Sequence, residues 1–162
     1  MKFEIRPYDG VGPLTFGMSI RNARAALAQP LATLGRGWAK VVSFLKDSRR
    51  DGVPTDAIDE LGLHLYYRVH AERVVLSAVE LFSPAEPEIC GVSLFAAPFA
   101  HVREQLLAHD PTLQAESDGL RSLTLGIALG DRTGGELNAL ADSVLAFERG
   151  YWDLPLAPRV TR

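Results

Sequence analysis

The sequence LGLHLYYRVHAERVVLSAVELF, residues 61–82, contains the pattern that decides the fold. Its stretches 61–69 and 73–82 are rich in β-branched, aromatic and leucine residues, which are typical of strands. A short polar stretch, His70 to Glu72, separates them. The segment therefore predicts a β-hairpin with its turn at these polar residues. Alternation along the first strand directs Leu63 and Leu65 toward a core.

A strand and a short helix precede the hairpin. Residues 3–6 alternate apolar and polar side chains, as a half-buried strand does. Ser19 is a favourable N-cap residue, and the helix that follows has Ile20, Ala23 and Leu27 on one face. We expect this face to be buried.

The segment GVGPLTFGMS, residues 10–19, joins that strand to the helix. A dinucleotide-binding loop needs a third glycine where this chain has Thr15. A Walker loop needs a Gly-Lys pair, which this stretch lacks. We therefore interpret the glycines as turn residues.

Three further segments complete the first half of the chain. Residues 38–46 have the composition of a strand, and residues 83–90, with two prolines, predict a linker. Residues 47–60 are polar and contain Gly52 and Pro54, so they predict an exposed loop.

The second half of the chain repeats the pattern of the first. At a constant offset of 79, Gly12, Phe16, Arg24 and Leu27 correspond to Gly91, Phe95, Arg103 and Leu106. At offsets of 64 or 65, Gly62, Leu65, Val79 and Phe82 correspond to Gly126, Leu129, Val144 and Phe147. These matches predict an α+β fold of two tandem β-α-β-β-like repeats, with short helices packed on antiparallel sheet.

The matches also set the predicted boundaries. The first repeat spans 1–82, the linker 83–90, the second repeat 91–153 and a C-terminal tail 154–162, all within one compact domain. We expect the face of the second helix to be buried, together with two residues of the later strands: Phe99, Val102, Leu106, Leu125 and Ile127.

Residues 133–147 are compatible with two structures. Thr133 and Glu136 form a capping-box pattern, which favours a helix. The corresponding stretch of the first half is the β-branched RVVLSAVELF, which favours a loop followed by a strand from Ser143. We predict the strand.

Composition excludes several classes of protein. The net charge of −3 with interspersed signs argues against a nucleic-acid-binding module. No stretch of 18 apolar residues is present, so no membrane span is predicted. With Cys90 alone, no internal disulfide can form, and together with a start that does not resemble a signal peptide this predicts a cytoplasmic protein.

No motif predicts catalysis, a cofactor or a metal. His101 and His109 are eight residues apart, which is about 12 Å along a helix and too far to share an ion. Cys90 has apolar neighbours, which are typical of an unreactive thiol. The chain has no G-x-S-x-G nucleophile motif.

Aromatic and acidic residues are the best candidates for contacts with a partner. Tyrosine and tryptophan are enriched at protein interfaces, and insertions in loops often carry specific contacts. The predicted partner-binding residues are Asp56, Asp59, Glu60, Tyr66, Tyr67, Tyr151 and Trp152. Because Tyr66 and Tyr67 are adjacent on a strand, we expect one on each face of the sheet.

The opening GVGPLTFGMS (10–19) resembles the GIGPLxFGM[ST] opening of a group of small bacterial proteins, some of them similar to immunity proteins of polymorphic or contact-dependent toxin systems. The ending SVLAFERGYWD (143–153) is similar to the V-x-V-F-x-G-Y-Y-D endings of such proteins. The turn before the helix is distantly similar to one in the outer-membrane assembly lipoprotein BamE. The resemblance covers residues 10–27 and 143–153, and it implies no catalytic residue.

Two functional hypotheses follow. The first is a non-enzymatic protein-binding module, monomer or homodimer, that resembles an immunity protein and neutralises a toxin. The second is a ligand-binding or enzymatic domain with a cleft between the repeats, lined by His64, Tyr66 and Glu80.

Overall fold

The computed structural model describes residues 1–35, 43–46, 54–117, 119–130 and 139–152. Short helices pack on two β-sheets, so the fold class is α+β, as the sequence predicts. The elements in chain order are β1 (Lys2–Arg6), β2 (Gly10–Val11), β3 (Leu14–Thr15), α1 (Ile20–Ala26), α2 (Ala28–Thr33), β4 (Ser43–Lys46), β5 (Pro54–Ile58), a 3-10 helix (Asp59–Leu61), β6 (Leu63–His70), β7 (Arg73–Phe82), β8 (Glu86–Ile89), β9 (Val92–Ser93), α3 (Phe99–Leu107), β10 (Gln114–Glu116), β11 (Gly119–Ser122), β12 (Ile127–Gly130) and β13 (Ser143–Phe147).

The larger sheet has its strands in the order β10-β11-β12-β13-β7-β6-β5-β4. β6 and β7 form the predicted antiparallel hairpin, with Ala71 and Glu72 in its turn. β13 pairs antiparallel with the other edge of β7, with Ser143 opposite Phe82. The two halves of the chain therefore share one continuous sheet that is joined at β7.

The strand order of this sheet places four strands of one half against four of the other, with the later strand of each half at the centre. Gly62 and Gly126 precede equivalent strands, and both have a left-handed φ, +66° and +68°. Their carbonyl oxygens accept hydrogen bonds from the N–H groups of Phe82 and Phe147, at 2.9 and 3.0 Å. The two glycines and the two phenylalanines are pairs that the sequence comparison matched between the halves. The tandem repeat itself stays a prediction.

The smaller sheet has the order β3-β2-β1-β8-β9. β1 and β8 are parallel, with Lys2 opposite Glu86 and Glu4 opposite Glu88. The segment 83–90, which the sequence predicts as a linker, thus contains the paired strand β8. This pairing ties the start of the first half to the start of the second.

One hydrophobic core is shared by the small sheet, the helices and the inner face of the large sheet. The predicted helix and strand faces are confirmed, with Ile20 half-buried against the core and the others buried: Ala23, Leu27, Leu63, Leu65, Phe99, Val102, Leu106, Leu125 and Ile127. Burial of these side chains is the main favourable contribution to folding, about 25 cal/mol per Å² of apolar surface.

The glycine segment 10–19 forms a turn whose N–H groups are used within the chain. Gly12, Phe16, Gly17 and Met18 donate their N–H groups to the backbone oxygens of Glu4, Asp9, Leu76 and Thr15. The Ser19 side chain caps α1 by accepting a hydrogen bond from the Asn22 N–H at 3.2 Å. A phosphate-binding loop needs such N–H groups directed at the ligand, so the segment serves the fold.

The prediction of an exposed loop over 47–60 is wrong for its second part, since 54–58 form β5. Residues 47–53 lie outside the described residues. Asp56 is completely buried and accepts two hydrogen bonds from Arg24, at 2.9 and 2.7 Å. Tyr67 donates its hydroxyl to the same carboxylate at 2.9 Å. This network fixes α1 to the inner face of the sheet, and burial together with the Asp56 charge raises the pKa of Tyr67.

The two remaining secondary-structure predictions are resolved in part. Residues 143–147 form the predicted strand, whereas 131–138 lie outside the described residues. Of the strand predicted over 38–46, the structure describes Ser43–Lys46, which pair with β5.

Replacing Asp56 by alanine should lower the free energy of unfolding by about 3 kcal/mol, because it leaves the Arg24 guanidinium and the Tyr67 hydroxyl without their shared acceptor. Urea unfolding monitored by circular dichroism measures this change. Arg21→Ala, on the exposed side of the same helix, is the matched control and should cost less than about 0.5 kcal/mol. Equal losses in the two variants would show that the Asp56 network does not stabilise the fold.

Candidate functional site

The candidate site lies on the face of the large sheet that is turned away from the core, which we call the outer face. Alternation along β6 directs Leu63, Leu65 and Tyr67 into the core. The intervening residues His64, Tyr66, Arg68 and His70 consequently lie on the outer face. A register shift between Tyr66 and Tyr67 leaves Ser77 of β7 unpaired, and its hydroxyl donates to the Tyr66 carbonyl oxygen at 3.1 Å.

Side chains from both halves of the chain form a row across this face. His64 is opposite Glu80, Glu80 is opposite Leu145, Leu145 is opposite Ala128, and Ala128 is opposite Arg121. Adjacent strands are about 4.8 Å apart, so the row is roughly 20 Å long. The outer face thus presents one surface that neither half forms alone.

A polar network occupies one end of the row. Tyr66 donates its hydroxyl to Glu80 Oε2 at 2.6 Å. His64 Nδ1 lies 3.6 Å from the same oxygen, and its Nε2 lies 3.6 Å from Asp59 Oδ1. The structure therefore brings together His64, Tyr66 and Glu80, the three residues that the ligand-binding hypothesis groups. They lie on one hairpin of the first half, and not in a cleft between the halves.

The electrostatics of this network favour a protonated histidine. The interaction with Glu80 raises the pKa of His64, against the opposing effect of burial, and Asp59 adds to the increase. The His64 ring also contacts Phe82, with 4.7 Å between ring centroids. The His64 ring is thus held between two carboxylates, Asp59 and Glu80, that stabilise its protonated form.

An aromatic cluster, Phe147, Tyr151 and Trp152, lies beside the part of the row formed by Leu145, Ala128 and Arg121, and we call it the aromatic patch. The rings of Phe147 and Tyr151 are stacked with centroids 5.6 Å apart, and Trp152 meets both edge-on at 5.8 and 5.4 Å. The Arg121 guanidinium lies 5.8 Å from the Trp152 ring centroid. Trp152 is 46% exposed, so the patch presents a large ring that its neighbours hold in place.

The predicted partner-binding residues divide by their exposure. Asp56 and Tyr67 are buried in the network below α1, so their prediction as surface contacts is corrected. The others are Asp59 and Trp152, which are exposed, Glu60 and Tyr66, which are half-buried, and Tyr151, which is buried within the aromatic patch. Tyr66 and Tyr67 do lie on opposite faces of the sheet, as expected from their adjacency.

Cys90 and the two histidines in and after α3 lie at the surface. Cys90 is exposed, with a left-handed φ of +52°, between β8 and β9 and not at the start of a buried strand. Among the residues that the structure describes, no three His, Cys, Asp or Glu side chains are arranged to hold a metal ion. His101 and His109 are both exposed.

The sequence did not single out Arg121 or Phe147 as part of the site. Phe147 has the local pattern of a core strand residue, and it becomes part of the patch because Tyr151 folds back onto it. Arg121 is brought under Trp152 by the pairing of β11 with β12 and of β12 with β13. The signal available in the sequence was the closely spaced group of aromatic and basic residues in 147–152, FERGYW.

Comparison of the chain with protein-family models, with curated protein sequences and with solved structures finds no match. Within the described ranges, no helix is both long enough and apolar enough to cross a membrane.

The raised pKa of His64 gives a pH dependence with a definite sign. A histidine whose pKa is higher in the folded state stabilises the fold below its unfolded pKa of about 6.5, and this contribution is lost as the pH rises through the folded value. We expect up to about 1 kcal/mol of stability to be lost in this way in the wild-type chain and not in His64→Gln. Urea unfolding of the wild-type chain and of His64→Gln, at pH values from below about 6.5 upward, measures the difference in stability between them.

An NMR titration of the His64 ring protons tests the cause directly. Glu80→Gln should move the pKa of His64 down toward 6.5, whereas Glu104→Gln, at an exposed position on α3, should leave it unchanged. A His64 pKa that does not respond to Glu80→Gln would contradict the assignment of the shift to this carboxylate.

Proposed function

We propose that this chain is a non-enzymatic protein-binding module that binds its partner through the outer face, with Trp152 at the centre of the contact. The observation that carries the proposal is the exposure of Trp152 at 46% within the aromatic patch. Tryptophan, tyrosine and arginine are the residues that contribute most to binding at protein interfaces. Trp152, Tyr151 and Arg121 supply all three in one place.

The arrangement of the outer face supports this proposal. Apolar and aromatic side chains lie in its middle. Polar and charged groups flank them, with Asp59, His64 and Glu80 on one side and Arg121 on the other. An apolar centre with a polar rim is typical of protein interfaces. Its length of roughly 20 Å suits a contact of about 800 Å² per partner.

The Trp152 side chain is already held in place before a partner binds, which also supports the proposal. The Trp152 ring contacts Phe147 and Tyr151, so little side-chain freedom remains to be lost when a partner binds. Immobilising a mobile side chain costs about 0.5–1.5 kcal/mol at an interface. An exposed tryptophan that is already held avoids much of this cost.

For the partner we propose a basic protein toxin that the chain neutralises by covering its active surface, as immunity proteins do. Two features support this finer proposal. The sequence resembles immunity-like proteins at 10–27 and 143–153, and the second of these segments carries the aromatic patch. The net charge of −3 and the exposed Asp59 suit a basic partner encountered in the cytoplasm.

Capture with the tagged chain from cells of the source organism, followed by mass spectrometry, tests the module proposal. We expect Trp152→Ala to weaken binding to the captured protein about 30-fold or more, the loss typical of a central tryptophan, with no change in the unfolding midpoint. Leu123→Ala is the matched control, since Leu123 is a comparably exposed apolar residue at 52% in the turn after β11. Equal binding by both variants would rule out an interface centred on Trp152.

The toxin proposal has its own test. The captured protein, expressed alone, should arrest growth, and co-expression with the wild-type chain should restore it. A captured protein that is harmless when expressed alone would contradict the immunity role and leave the binding result intact.

A further inference from the structure

A cleft of about 640 Å³ opens on the outer face beside the end of the β6–β7 hairpin. Arg68 and His70 of β6 and Arg73 and Val75 of β7 line it on one side. Tyr8, which follows β1, and Arg149, which follows β13, line it on the other. The volume suits a small organic molecule, since ligand pockets are typically about 300–1,000 Å³.

The charges that line this cleft are unequal. Three arginines, Arg68, Arg73 and Arg149, face it together with His70, and Glu148 is the one carboxylate among the described residues of its lining. Glu72 lies in the adjacent hairpin turn and is exposed. A cluster of arginines in a chain with a net charge of −3 marks a local site for an anion.

Glu148 neutralises one of the three arginines. Arg68 Nε lies 2.6 Å from Glu148 Oε1, and both side chains are largely buried. The pair is an ion pair without a well-directed hydrogen bond. Burial raises the pKa of Glu148, and the Arg68 charge opposes that increase.

Arg73 and Arg149 have no carboxylate partner within the described part of the chain. Arg73 is exposed at the start of β7. The Arg149 guanidinium lies 4.4 Å from the centroid of the Tyr8 ring, a cation–π contact that leaves its N–H edge available. The cleft therefore has two guanidinium groups that a ligand can bind, and a third held in place by Glu148.

Two residues of the cleft lining have a left-handed backbone conformation. Tyr8 has a φ of +60°. Ala71 has a φ of +46° and, with Glu72 at +65°, forms the two-residue turn of the β6–β7 hairpin, in which both central residues have positive φ.

We propose that this cleft binds a small aromatic phosphate monoester, with its phosphoryl group on Arg73 and Arg149 and its ring against the apolar wall formed by Tyr8, Phe16 and Val75. Guanidinium groups match phosphate oxygens in charge and in planar, two-point hydrogen bonding. The dianion of a monoester satisfies two such groups, whereas a single carboxylate satisfies one. This site is separate from Trp152, which is not in its lining.

Isothermal titration calorimetry of the full chain with phenyl phosphate tests the proposal. We expect binding with a Kd below about 1 mM, weaker binding of inorganic phosphate, which lacks the ring, and no binding of phenol, which lacks the charge. Arg73→Ala and Arg149→Ala should each weaken phenyl phosphate binding at least about tenfold. Arg103→Ala, which removes the same charge from an exposed position on α3, should change it less than about twofold.

Glu148→Gln provides a test that a folding defect cannot imitate. Removing the Glu148 carboxylate should strengthen phenyl phosphate binding severalfold, since it takes a negative charge away from the anion and leaves the charge of Arg68 uncompensated. Trp152→Ala should leave this affinity unchanged, so the site can fail or succeed independently of the protein interface.

Two results would overturn the proposal. One is the absence of binding of phenyl phosphate by the wild-type chain up to about 10 mM. The other is an equal loss in Arg103→Ala and in the two cleft variants, which would mean that general charge attraction, and not this cleft, holds the anion.

Discussion

The structure depends on β7, which is hydrogen-bonded along both edges. β7 pairs with β6 along one edge and, over residues 78–82, with β13 along the other. The segment before α1 joins the second edge, where Gly17 and Met18 exchange backbone hydrogen bonds with Leu76. Because β6 belongs to the first half of the chain and β13 to the second, neither half completes the large sheet alone. The parallel pairing of β1 with β8 makes the same connection in the small sheet.

The two faces of the sheet around β7 carry different kinds of side chain. On the inner face the sheet meets the helices, and the buried Asp56 is paired there with Arg24 and Tyr67. On the outer face, charged and aromatic side chains from both halves meet across β7. A strand has a side-chain period of two, so one strand can serve a sealed core and a binding surface together.

Most parts of the fold that the sequence predicted correctly have a local pattern. The β6–β7 hairpin, the buried faces of α1 and α3 and the cap at Ser19 follow from spacing within a few residues. The strand at Ser143 was predicted from its match with β7, against a local pattern that favours a helix. The segments that were not predicted depend on distant partners. β5 can bury Asp56 because Arg24, 32 residues away in the sequence, pairs with its carboxylate, and β8 is a strand because β1 lies beside it.

The candidate site likewise combines residues that can be predicted from their type with contacts between distant segments. Trp152, Tyr66 and Asp59 were predicted from residue type, whereas Asp56 and Tyr67, chosen on the same basis, are buried. The cleft was not predicted, because Tyr8, Arg68 and Arg149 come from three distant segments that only the folded sheet brings together.

Hydroxyl-radical footprinting of the chain, alone and with its captured partner, tests whether the outer face is the binding surface. The reaction with radicals reports the exposure of each side chain. We expect Trp152 and Tyr66 to lose reactivity in the complex while the exposed Leu34 and Leu123 keep theirs. Protection of Leu34 or Leu123 with Trp152 still fully reactive would contradict this expectation.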